Sequence, residues 1–154
     1  MRRVRRPAAA AASGYSGTPL ARKLGIRAGA RLYLRGAPAR YAELVAPLPE
    51  GVRIVRRVAA DTDLMHVFAT RRAELVRALA ACTAAMRADA GIWVSWPKKS
   101  SSVPSELSDN VVRELGLAAG LVDVKVCAVD ATWSALKFVV RTAERASFHP
   151  ARGR

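Results

Sequence analysis

Residues 63–97 read DLMHVFATRRAELVRALAACTAAMRADAGIWVSWP, and this stretch decides the fold class. Asp63 to Thr70 is apolar almost throughout, as expected of a strand covered on both faces. Thr70 is placed to cap a helix from Arg71 to about Asp89, in which Leu75, Leu79, Cys82 and Met86 recur at helical spacing. Gly91 ends that unit, and Gly91–Pro97 reads as a second buried strand. A long helix between two strands buried on both faces is the mark of a parallel crossover.

The pattern continues on both sides. Pro104, Ser105 and Glu106 open a helix predicted over 105–119, with Leu107, Val111, Leu115 and Ala118 as its buried face and Gly120 closing it. Strands over 122–129 and 134–141 follow, joined through Asp130–Trp133 as a hairpin. Upstream, Thr18 and Pro19 read as N-cap and first position of a short helix closed by Gly25. A strand over 31–36, a brief helix over 41–46 stopped by Pro47 and Pro49, and a strand over 52–57 complete the set. The alternation predicts one α/β domain over 13–142, a mostly parallel sheet with helices on both faces and an antiparallel C-terminal hairpin. Residues 1–12 and 143–154 are expected to be disordered basic extensions, the chain fraying after Thr142.

The net charge of +14 is unevenly spread, with half of the excess in the two termini, 1–12 and 141–154. Such tails bind polyanions by counterion release, which makes nucleic acid a candidate partner. The body lacks a basic stripe interleaved with aromatics and any nucleic-acid-binding signature. No apolar run approaches the ~18–20 residues that a membrane span needs. The five alanines after Pro7 are too short and too weakly apolar for a secretory signal, so the expected compartment is the cytoplasm, with no membrane partner. Cys82, Cys127, His66 and His149 complete no metal-ligand spacing, and no metal is expected.

The order strand–helix–strand–helix–hairpin resembles the C-terminal half of the Rossmann-like fold of class I S-adenosylmethionine-dependent methyltransferases. In that resemblance Asp63–Thr70 is the fourth strand, Gly91–Pro97 the fifth, and the hairpin strands six and seven. Gly14-Tyr-Ser-Gly-Thr-Pro-Leu20, Lys23-Leu-Gly-Ile26, Pro47-Leu-Pro-Glu-Gly51, Trp93-Val-Ser-Trp-Pro-Lys-Lys99 and Gly120-Leu-Val-Asp-Val-Lys-Val-Cys-Ala-Val-Asp130, with Trp133 and Lys137, carry a closer one. In these motifs the chain, over about 14–141, is similar to the small bacterial family known as domain of unknown function three-thousand-and-fifty-two. That resemblance implies a methyltransferase-like scaffold and brings no reaction with it. The sequence also departs from a working methyltransferase. The first strand is followed by Arg35-Gly36-Ala37-Pro38, with one glycine and a proline that removes a donor, where a glycine-rich turn is needed. The second strand ends in Arg56-Arg57 where a carboxylate would hold ribose hydroxyls, and Asp61 and Asp63 come later. The expected cofactor is therefore none, with S-adenosylmethionine as the alternative.

The candidate site lies at the end of the tryptophan strand. Side chains alternate along a strand, so Trp93 and Ser95 share one face and Trp96 lies with Val94 on the other. One tryptophan is expected under a helix and the other at a cleft mouth. Ser95, Trp96, Lys98 and Lys99, aided by free donors at the next helix N-terminus, form the expected ligand site. Tyr15 and Ser16, between Gly14 and Gly17, are its expected roof, and Asp130 joins from the hairpin turn, where an Asx-type turn is the simpler role. His66, inside the most apolar strand, reads as a hydrogen-bonded core imidazole. No nucleophile, base and acid stand at a recognisable spacing. The expected function is a non-catalytic binding or regulatory module for an anionic small molecule or a protein partner. The alternatives are a divergent S-adenosylmethionine-dependent transferase and a nucleic-acid-binding protein acting through its tails.

Overall fold

The computed structural model describes residues 17–148. Eleven elements follow one another within them: α1 (Leu20–Leu24), β1 (Arg31–Arg35), α2 (Tyr41–Leu44), β2 (Arg53–Val55), β3 (Leu64–Phe68), α3 (Arg72–Ala85), β4 (Gly91–Pro97), α4 (Asp109–Ala118), β5 (Leu121–Ala128), β6 (Trp133–Val140) and a 3-10 helix (Thr142–Ser147). The strands form one sheet in the order β2-β1-β3-β4-β6-β5. β1 to β4 run parallel, and the β5–β6 hairpin adds an antiparallel edge through β6. The α/β class and the mixed sheet are as the sequence leads one to expect.

Two apolar layers sandwich the sheet. Met65, Val67, Ile92, Val94 and Trp96 pack against Leu75, Leu79, Cys82 and Met86 of the α3 segment and Val112 of α4. On the other face Leu32, Leu64, Phe68 and Trp93 meet Leu20 and Leu24 of α1 and Tyr41 and Leu44 of α2. Every residue of β3 and β4 is buried, which explains their near-continuous apolar sequence. Gly116 is demanded by close approach, because a Cβ there would overlap the ring of Phe138.

Several boundaries differ from expectation, each for a local reason. Helix α3 stops at Ala85, since Met86 is extended and Arg87 turns back to bind Asp63 and Asp89. Its N-terminus is capped by Glu74, whose carboxylate accepts from the backbone of Thr70 and Arg71, rather than by the Thr70 hydroxyl. Helix α4 begins at Asp109 behind the Ser108 cap, because Ser105 and Glu106 are spent on the carbonyl of Thr70. Its most buried residues are Val112 and Gly116, the expected Val111 and Leu115 pack against the core half-buried, and Ala118 is exposed. β2 is only three residues long with an exposed Ile54, as suits an edge strand. Past Thr142 the chain turns through the 3-10 helix and Phe148 packs on the core, so order extends six residues beyond the expected boundary at 142.

Candidate functional site

From β1 the chain passes to β2 on one side, then returns to place β3 on the other, so the sheet's switch point lies between β1 and β3. Ligands of open α/β sheets bind outside the carboxyl ends of the strands flanking such a point. Here that edge is formed by Arg35-Gly36, by Phe68 to Thr70, and by Pro97 to Lys99. The hairpin turn reaches the same edge, because Pro97 pairs with Trp133 and Lys98 donates its backbone N–H to the carbonyl of Thr132 at 2.7 Å.

Trp96, Lys98 and Lys99 share one cleft of about 410 Å³ with Ser108 and Asp109 at the start of α4, and with Ser134 and Leu136 of β6. Trp96 is only 6 % exposed and forms the cleft's apolar wall. Neither lysine is ion-paired among the described residues. The α4 N-terminus contributes less than expected, because Ser108 already accepts from Val111 and Asp109 from Asn110. Arg113, also on the cleft wall, is held by Asp123 at 3.1 Å.

The other proposed residues separate from this group. Ser95 is fully buried on the opposite face, where its hydroxyl lies 2.7 Å from His66 Nε2, so it does not line the lysine cleft. Asp130 reaches the right edge, but its Oδ1 accepts from the backbone of Thr132 and Trp133, both at 2.8 Å, in the expected Asx-type turn. Tyr15 and Ser16 lie outside the described residues. The two tryptophans divide as their alternation requires. Trp93 is buried under α1, donating its indole N–H to the carbonyl of Leu24 at 2.8 Å, and Trp96 faces the cleft.

His66 is the centre of a buried polar chain that sequence reading found only in part. Its Nδ1 lies 2.9 Å from the Tyr41 hydroxyl, Phe68 stacks on the ring at 4.3 Å, and His66, Tyr41 and Ser95 are all buried. Burial drives the imidazole down to about 3 and the Tyr41 phenol well above its ordinary value. The chain is thus neutral at ordinary pH and acts as a satisfied core network. Cys82 is likewise sealed, its thiol pushed by burial to about 12, with Arg35 pulling weakly the other way. Among the described residues no group of three or more His, Cys, Asp or Glu could hold a metal ion, and no helix is long and apolar enough to cross a membrane.

The described residues do not fit S-adenosylmethionine well. Gly36 has a positive φ of 70°, and a Cβ there would lie 2.5 Å from the carbonyl oxygen of Phe68. Its smallness is therefore used up by packing the loop on β3. Gly36→Ala is expected to cost at least about 2 kcal/mol, from left-handed strain and this contact, read as a lower urea midpoint. Arg56 and Arg57 are exposed where a ribose-binding carboxylate would stand. The acids that follow them are drawn to the opposite end of the sheet. Asp61 pairs with Arg31 at 3.1 Å, and Asp63 holds the Arg31 backbone N–H and Arg87.

No family model matches the sequence, and no curated protein matches it. Solved structures do. The mitomycin 7-O-methyltransferase MmcR superposes with a TM-score of 0.58 at 13 % identity, over 86 % of this chain and 52 % of its own. The pyocyanin biosynthetic protein PhzM gives 0.52 at 17 % identity, over 79 % of this chain and 53 % of its own. The chain thus spans about half the length of these two proteins. A SAM-dependent methyltransferase from Aquifex aeolicus gives 0.55 at 11 % identity, over 79 % of this chain and 88 % of its own. The fold of this chain is accordingly the Rossmann-like α/β fold of SAM-dependent methyltransferases.

Proposed function

We propose that the chain is a ligand-binding module built on a methyltransferase-like scaffold, which takes an anionic small molecule at its carboxyl edge. The observation that carries this reading is the cleft that gathers Trp96, Lys98 and Lys99: a flat apolar wall beside two unpaired ammonium groups. The ligand's phosphate or carboxylate would meet the lysines, beside the small exposed edge of the indole. Among the described residues nothing in the cleft is placed as a general base: Asp109 accepts the backbone N–H of Asn110, and Asp130, outside the cleft, holds its own turn.

The likeness to methyltransferases supports a second reading better than it supports a module without catalysis. In it the chain is a divergent S-adenosylmethionine-dependent transferase. Against this reading stand Gly36, committed to Phe68, and the arginines at the end of β2.

Calorimetric titration with S-adenosylmethionine, S-adenosylhomocysteine, nucleotides and acidic metabolites separates the two. Micromolar binding of an anion that Lys98→Ala with Lys99→Ala abolishes, with the melting temperature kept within a degree or two, is the expected result. Stoichiometric binding of an adenosyl compound by that double variant would sink the lysine-cleft reading and favour the second.

A further inference from the structure

The opposite, amino-terminal end of the sheet holds a second cleft, of about 550 Å³, lined among others by Arg27, Asp63, Arg87, Asp89, Gly91 and Lys137. Its two acids share one guanidinium, Arg87 binding Asp63 at 2.7 Å and Asp89 at 2.6 Å, so that with Arg27 and Lys137 the lining keeps a net positive charge. Arg27 and Lys137 have no acidic partner among the described residues.

Lys137 is seated with unusual care. Its stem crosses Gly91, where a Cβ would come within 2.8 Å of Lys137 Cε, and its ammonium reaches Gly25 at the end of α1. Directly across the β5–β6 ladder stands Lys125. Like charges in that position destabilise a sheet, and an acid nearby would relieve them. The acid nearest to Lys125 in sequence is turned away instead. In an unbroken strand Asp123, two residues from Lys125, would share its face. The register shifts between Asp123 and Lys125, which pairs Asp123 with Phe138 on the other face, where it binds Arg113. Among the described residues Lys125 finds only the carbonyl of Lys23, at 3.5 Å. Burial, and then the charges of Lys125 and Arg27, loosen the hold of Lys137 on its proton.

We propose that Lys137, with Lys125 and Arg27, forms a binding site for a doubly charged oxyanion, a phosphate group in particular, at the amino-terminal end of the sheet. The bound dianion would replace the acid that the bulge removes. This site is separate from the Lys98–Lys99 cleft and does not depend on it.

The probe is inorganic phosphate, titrated against sodium chloride of matched ionic strength and followed by melting temperature and by chemical shifts of the backbone amides. The expected result is a saturable rise for phosphate alone, with shifts centred on Gly25, Arg27 and Gly91. Lys137→Met, which keeps the stem over Gly91, should weaken phosphate at least about tenfold, as loss of a charge-assisted bond implies. Without phosphate it should melt no lower than the parent, since the opposed charges are gone. Should Lys137→Met fail to fold, Lys125→Met, across the ladder, and Arg27→Gln, on the cleft wall, serve the same purpose. An unchanged phosphate response in the variants, or no response in the parent beyond that to chloride, would overturn the proposal. Lys98→Ala with Lys99→Ala must leave the response intact; its loss there would place the phosphate in the other cleft and also overturn it.

Discussion

Acidification from pH 7 to pH 5 is expected to cost the folded protein about 2 kcal/mol, and about 4 kcal/mol by pH 3, through His66 alone. The imidazole is fully buried and titrates near 3 in the folded chain, against about 6.5 in an unfolded one. Its folded value is the lower, so the unfolded state binds more protons between these limits. Stability is therefore intact above 6.5 and is lost progressively as pH falls toward 3. Protonation would also rearrange the hydrogen bonds, because the hydroxyl that donates to the neutral ring would have to turn and accept instead. A neutral ring offers one donor and one acceptor, to Tyr41 and Ser95, whereas a protonated ring is a donor at both nitrogens. Asp63 and Glu74, both held below the usual carboxylate range by hydrogen bonds to backbone N–H groups, add their losses only below about pH 4. Urea unfolding at pH 7, 6 and 5, with His149→Gln as the background, measures the slope. His66→Gln should be less stable than its parent at pH 7 yet nearly flat across that range. An equally steep slope in the variant would assign the titration elsewhere.

The sequence shows its β3–α3–β4 core plainly, because two strands covered on both faces leave a signature that no exposed element imitates. Turns set by one residue are equally plain: Gly25 and Gly120 close their helices with positive φ, and Asp130 makes the hairpin turn from its own side chain. Alternation alone separates Trp93 from Trp96. Long-range partners leave no such trace. The start of α4 depends on Ser105 and Glu106 reaching Thr70, some 35 residues earlier. Ser95 looks like a neighbour of Lys98 in sequence, and only the pairing of β3 with β4 reveals that it belongs to His66. The opposition of Lys125 and Lys137 is a matter of strand register, which one bulge decides. The candidate site was thus half legible: its wall and its charges lie within four residues of one strand end, whereas what they face comes from α4 and β6.

Trp93→Ala should cost about 3–5 kcal/mol and lower the melting temperature by roughly 10–20 °C. The indole is fully buried and is among the largest side chains of the core. It sits between β4 and α1, a helix of five residues that has no stability of its own and holds its place by packing. Removing the ring empties the space beneath Leu20 and Leu24 and releases the Leu24 carbonyl at once. The effect should therefore be uneven. Amide exchange should accelerate first in α1 and at Gly25, and through Gly25 the Lys137 ammonium should lose a wall of its cleft. Trp93→Phe divides the two contributions, since it keeps most of the apolar volume and gives up only the N–H. A loss of about 1–2 kcal/mol for phenylalanine assigns the larger share to ring volume. If phenylalanine melts as low as alanine, the indole hydrogen bond to Leu24 is what docks α1, and the helix is tethered at its carboxyl end rather than packed along its length.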